Sequence, residues 1–272
     1  MPRPSQMLRT TRASLDDAIL GRLHDTRPTQ RTECRHVDNA ILKGRRRSRP
    51  PEEARSLFRA AYRGEVAALH VLIESGADVN LGCSSGDTAL HIAADCNHVQ
   101  VVRRLLECPS INVNVVSTTA GSALHVASHR GHVAIMVLIL RHPDTNVNIT
   151  MPGNSPGTLG CSYTPLCLAV QQGHEAAVAV LLREAATDPN VDIHVGLRPL
   201  HIAAFNGYTS IIARLLQRHD IDRGARAQSN LTPLQVAQVA EHPDHGAIEQ
   251  LFLEADLAKT SIEGDTLSMQ CR

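Results

Sequence analysis

Fifteen histidines and seven cysteines are the side chains of this 272-residue chain best suited to proton transfer, metal ligation or nucleophilic attack. Three of the histidines share one setting: His91 in "TALHIAA", His125 in "SALHVAS" and His201 in "RPLHIAA". A catalytic imidazole is needed once, whereas a residue repeated along the chain serves each repeated unit. These three are therefore expected to be structural, each a polar clip in an apolar layer that must find hydrogen-bond partners. A second set, His98, His132 and His174, precedes three apolar runs at a matching interval and is read the same way. Cys161, Cys167 and His174 lie near one another, but Cys167 and His174 occupy repeated positions and only Cys161 is left over. Structural zinc takes four ligands, so no metal site is expected. The chain has no G-x-S-x-G, P-loop, H-E-x-x-H or dinucleotide fingerprint, and no cofactor is implied.

The elements that must carry these residues follow from the period. The motif recurs as "RSLFRAA", "TALHIAA", "SALHVAS", "TPLCLAV", "RPLHIAA" and "TPLQVAQ". Its shared leucines, Leu57, Leu90, Leu124, Leu166, Leu200 and Leu234, are spaced by 33, 34, 42, 34 and 34 residues. A fixed period of this size marks a stacked repeat array. Within one unit, "TALHIAADCN" predicts a short helix. "HVQVVRRLLEC" predicts a second, with Val99, Val102, Leu105 and Leu106 on one face. "PSINVNVVSTTAG" then predicts an extended connection. Neither helix can bury its apolar face alone, so the units must stack.

Composition agrees. The chain has no Trp, three Phe and three Tyr, as expected of thin layers packed with Leu, Val, Ile and Ala. Net charge is zero but unevenly spread: residues 1–50 carry twelve Arg/Lys against five Asp/Glu, and residues 51–272 carry fifteen against twenty-two. Residues 1–51 are read as a basic, largely disordered leader with one short helix at "SLDDAILGRLHD", residues 52–257 as the array, and residues 258–272 as a disordered tail. The connection "TMPGNSPGTLGCSY" is eight residues longer than the others, which predicts a long finger over 148–163. Seven cysteines without a C-x-x-C pair read as reduced thiols in a cytoplasmic or nuclear protein. No secretory signal is visible, and the longest apolar run, Val133 to Leu140, is far short of the roughly 20 residues that span a bilayer.

The quoted motifs resemble the ankyrin repeat: T-P-L-H-x-A-A, then G-H, an apolar second helix and G-A-D-V-N. "RGEVAALHVLIESGADVN", "SHRGHVAIMVLIL", "QQGHEAAVAVLL" and "FNGYTSIIARLL" all fit it. The connections "LECPSINVN" and "RHPDTNVN" resemble those common in fungal ankyrin arrays. The resemblance implies an all-α solenoid of about six repeats over residues 52–257. Its ends would be caps: the first has Arg55 and Phe58 in place of the motif's Thr and His, and the last has Gln235.

In that family, the two residues after the motif's A-A and the loop tips line a concave groove and carry little structural duty. Here the helix positions are Tyr62, Arg63, Asp95, Cys96, His129, Arg130, Gln171, Gln172, Phe205 and Asn206, followed by Val239 and Ala240. Tip positions include Ser84, Ser85, Asp87, Thr118, Thr119, Tyr163, His194, Leu197, Ser229 and Leu231. Asp95, His129, Arg130, Tyr163 and Phe205 are expected to cluster at the groove's centre. The implied function is a non-catalytic scaffold, expected to be a monomer, that binds a protein partner there. A small-molecule or catalytic component of a biosynthetic pathway is the alternative, with Asp95, His129 and Tyr163 as acid/base candidates. "KGRRRS" reads as a nuclear-localisation or nucleic-acid patch. Without aromatic interleaving or a DNA-binding module, sequence-specific nucleic-acid binding is not expected.

Overall fold

The structure, a computed structural model, describes residues 52–152, 162–193, 196–227, 229–240 and 243–270. The leader, the finger's outer part at 153–161 and His194 lie outside the described residues. The described residues fall into two compact units, divided in the sequence between Thr187 and Asp188.

The first unit holds four helix pairs: α1 (Glu52–Arg63) and α2 (Val66–Glu74), α3 (Ala89–Asp95) and α4 (Val99–Leu106), α5 (Ala123–Arg130) and α6 (Val133–Leu140), α7 (Pro165–Gln171) and α8 (Glu175–Arg183). First helices stack on first helices, α1 on α3, α3 on α5 and α5 on α7, and second helices stack likewise from α2 to α8. The shared leucines Leu57, Leu90, Leu124 and Leu166 are at most 1% exposed. Helices this short are not stable alone in water, so stacking is what holds them. The third and fourth motifs open on a hydroxyl cap. Ser122 Oγ and Thr164 Oγ1 accept the backbone N–H of His125 and Cys167, at 3.5 and 3.3 Å.

The second unit holds α9 (Pro199–Phe205) and α10 (Thr209–Leu216), then α11 (Pro233–Val239) and α12 (His245–Gln270). α9 packs on α11 and α10 on α12. Leu200 is 1% exposed, but Leu234 in the last repeat is only half-buried, as befits a cap. The backbone of α12 stays helical through Gln270, beyond residue 257 where the sequence reading ends the array.

Twelve helices among the described residues bear out the all-α repeat solenoid. Besides an isolated bridge between Ser117 and Gly121, the departure among the described residues is a two-residue antiparallel ladder, β1 (Met151–Pro152) with β2 (Ser162–Tyr163), which pins the finger's base. The finger starts later than expected, because Asn148 belongs to the stack: its Nδ2 donates to the Ala186 carbonyl at 2.6 Å. No described helix is long and apolar enough to cross a membrane.

Candidate functional site

The recurring histidines are all committed to the stack. The backbone N–H of Ser122 donates to His125 Nδ1 at 3.1 Å, which leaves the proton on Nε2. Nε2 then donates to the Tyr163 carbonyl of the next repeat at 3.0 Å. His91 repeats this with the Thr88 N–H at 3.2 Å and the Gly121 carbonyl at 2.9 Å. His201 does so with the Arg198 N–H at 3.2 Å and the Ala225 carbonyl at 3.2 Å. Burial holds the pKa of all three rings below the ordinary histidine value, His125 at about 4, because a charged ring would be stripped of water. Where Cys167 replaces the histidine, Thr164 Oγ1 donates to its Sγ at 3.0 Å.

The second histidine set reaches backwards instead. His98 Nε2 bonds the Tyr62 carbonyl at 2.9 Å, His174 Nε2 bonds the His129 carbonyl at 3.0 Å, and His132 bonds the Asp95 backbone. Room for the His174 ring comes from Gly131, whose φ is +70° and whose Cβ, if it had one, would lie 2.9 Å from that ring. Both sets are therefore structural, and two of the three metal candidates, Cys167 and His174, are occupied within the stack. The third, Cys161, is outside the described residues.

The helix-end positions lie apart from this framework. Tyr62, Asp95, Cys96, His129, Arg130, Gln171 and Gln172 are half-buried and Arg63 is exposed. At the tips, Ser84, Thr118 and Thr119 are exposed. Phe205 and Asn206 are half-buried in the second unit, where Asn206 Nδ2 donates to the Ile202 carbonyl at 2.9 Å.

Two expectations need correction. Tyr163, read as an exposed tip, is 4% exposed, because its backbone in β2 is drawn into the layer by His125. Leu197 is 6% exposed, turned inward by a bond from the Ile193 N–H to its carbonyl at 2.8 Å.

The centre of the first unit's helix ends is an ion pair. Arg130 Nε donates to Asp95 Oδ1 at 2.8 Å, joining α5 to α3 across two repeats. Asp87, in the turn before α3, stands behind it. Its Oδ2 accepts from Ser85 Oγ at 2.5 Å, and its Oδ1 is buried without a hydrogen-bond partner. Burial and the charge of Asp87 push the Asp95 carboxyl up to about 6, against the pull of Arg130. Burial and the neighbouring His174 hold the His129 pKa below its ordinary value. Asp95, one of the acid/base candidates, is thus taken by Arg130, the residue next to His129.

A ladder of asparagines went unread in the sequence. Asn80, Asn114, Asn148 and Asn190 each donate Nδ2–H to a carbonyl in the next connection, at 2.6 to 2.7 Å. The Oδ1 atoms of Asn80, Asn114 and Asn190 accept a backbone N–H two residues beyond that carbonyl, at 2.7, 2.9 and 2.8 Å. The signal was present: these asparagines recur at intervals of 34, 34 and 42 residues, within one residue of the motif's own 33, 34 and 42.

Comparison with known proteins matches the chain to the family model for ankyrin repeats (3 copies), over 41–117, 57–151, 111–193, 149–225 and 166–261. Among solved structures, it is similar to an ankyrin repeat domain from Acinetobacter baumannii AYE. The TM-score is 0.63 with 22% identity, over 74% of this chain and 97% of that one, which is a likeness of fold. Among curated proteins it is 30% identical over 84 residues to alpha-latrotoxin-Lhe1a of Latrodectus hesperus. That match covers 31% of this chain and only 6% of the toxin.

Proposed function

Since the chain belongs to the ankyrin repeat family, whose repeats generally mediate protein–protein interaction, we propose that it is a non-catalytic scaffold that holds a protein partner on the helix ends and loop tips of the first unit. The observation that carries this reading is a division of labour. The motif histidines and the asparagines are bonded into the stack, while Arg63, Gln172 and Thr119 are not motif residues and stand half-buried or exposed. Such positions can change identity at little cost to folding, and so can be fitted to a ligand. Their chemistry is polar and suits a partner that offers hydrogen-bonding groups.

The catalytic alternative draws less support. Asp95 is tied to Arg130 and Tyr163 is inside, so two of its three acid/base candidates are engaged elsewhere. Affinity capture on the full chain separates the readings when the retained proteins and small molecules are both identified. A scaffold retains a defined protein, and Arg63→Ala with Gln172→Ala weakens that capture at least about tenfold, whereas Arg103→Ala, at an exposed position of α4, does not. Capture of a small molecule alone, or of the protein equally by all variants, overturns the proposal.

A further inference from the structure

The second helix of each pair turns three positions away from the core, and the residues found there show what the stack itself requires. In α4 they are Gln100, Arg103 and Arg104, so the framework accepts polar side chains at all three. α2 mixes Val71 with His70, and α10 mixes Ala213 with Arg214. In α6 the three are Ala134, Val137 and Leu138, and in α8 they are Ala176, Ala179 and Val180. The first of each set is exposed and the other two are half-buried. α6 packs beside α8, so the six form one apolar patch next to the charged side of α4. α6 carries no ionisable residue, and the one carboxylate of α8, Glu175, lies at the helix's first position. Arg141, just past α6, and Arg183, the last residue of α8, close the patch at the helices' C-terminal ends. Both are exposed, and neither pairs with a carboxylate among the described residues.

A second apolar feature is bordered by the opposite charge. α12 buries Ile248 and Phe252 and leaves Leu253 and Leu257 58% and 70% exposed. Glu249, Leu253 and Leu257 follow one another at i, i+4 spacing on one face. Glu254, also exposed, stands beside them and accepts a hydrogen bond from Gln250 Nε2 at 3.1 Å.

We propose that two copies of this chain associate head to tail, with α12 of one copy lying on the α6–α8 patch of another. Leu253 and Leu257 then cover the apolar residues, and Glu249 and Glu254 meet Arg141 and Arg183. Charge selects this pairing. Patch on patch would set arginines against arginines, and α12 on α12 would set carboxylates against carboxylates, so each surface has its complement in the other. Size agrees: Leu253 and Leu257 lie about 6 Å apart along α12, within the roughly 12 Å length of α6. The monomer expected from the sequence is then the dilute form. The helix ends and tips assigned to a protein partner lie outside this contact, so the association goes beyond the scaffold reading.

Sedimentation velocity of the full chain tests it. Across the micromolar range, the average mass should rise with concentration above that of one chain. Leu253→Gln with Leu257→Gln keeps good helix formers in α12 and should weaken association at least about tenfold. Two further variants reverse one border each: Arg141→Glu with Arg183→Glu, and Glu249→Arg with Glu254→Arg. Each should stay monomeric alone, because its two surfaces then carry like charge. An equal mixture of the two should associate again, because every surface in it finds its complement. All the replaced residues are exposed, and thermal melts confirm that the variants fold. A wild-type chain that stays monomeric throughout, a folded double-glutamine variant that associates as before, or a mixture that stays monomeric overturns the proposal. Each of these measurements is made on the chain alone, so none of them touches the scaffold reading, which stands or falls on the capture experiment.

Discussion

At the scale of the residue, the buried histidine is a neutral clip. Nδ1 of His125 accepts one backbone N–H and Nε2 donates to one carbonyl, so a second proton would set two N–H groups against each other. Its folded pKa of about 4 lies below the unfolded value near 6.5, so the unfolded chain binds more protons between those limits. The stabilisation is complete above pH 6.5 and is lost as pH falls from there through about 4, some 3 kcal/mol for this one ring, taken as about 1.4 kcal/mol per pH unit. Urea denaturation from pH 7.5 to 4 should show that loss, and His125→Gln should flatten it. Gln235 shows that glutamine can take over the cap bond, accepting the Thr232 N–H at 3.0 Å. A variant whose acid slope equals the wild type's would sink the account. Ser128 offers the opposite case. It is fully buried and its Oγ has no hydrogen-bond partner, where repeats two and five have Ala94 and Ala204. Ser128→Ala should stabilise by about 1 kcal/mol, and a lower denaturation midpoint would show that the hydroxyl is in use.

At the scale of the element, no helix of the first unit's four pairs stands on its own strength. Leu124 sits in α5 with 1% of its surface exposed, between α3 and α7. Leu124→Ala should cost about 2–5 kcal/mol, the range for a leucine lost from a packed core, and an unmoved thermal melt would place it outside the core. The connections need their own fastening, because their backbone polar groups have no helix to bond within. Asn114 supplies it by bonding the Asp144 carbonyl and the Asn146 N–H. Asn114→Ala should cost about 1–3 kcal/mol and speed amide exchange at Asn146; unchanged exchange there would mean the ladder holds nothing.

At the scale of the molecule, the stack must stop without leaving an apolar face. Interior first helices put Ile92, Val126 and Leu168 where α1 puts Arg59, and Arg59 is exposed while the other three are buried. Ser56 and Arg63 continue that polar side of α1. An end so solvated asks for no cover, so deleting residues 1–45 should leave the melting temperature of the array unchanged. A fall in that temperature would mean the leader packs on the repeats.

The sequence by itself determined the architecture. Period, motif and apolar spacing repeat six times, and a pattern that each layer must satisfy is written in each layer. It also identified the histidines as structural, since His91, His125 and His201 recur where a catalytic residue would not. The asparagine ladder was equally legible by recurrence and was passed over. What only the tertiary structure decided is what happens once. Arg130 takes Asp95 across 35 positions of chain, Asp87 stands behind them, and Tyr163 turns inward because His125 holds its carbonyl. No period announces such contacts, because they depend on which side chain of one layer meets which of the next, and that meeting exists only after the layers have stacked.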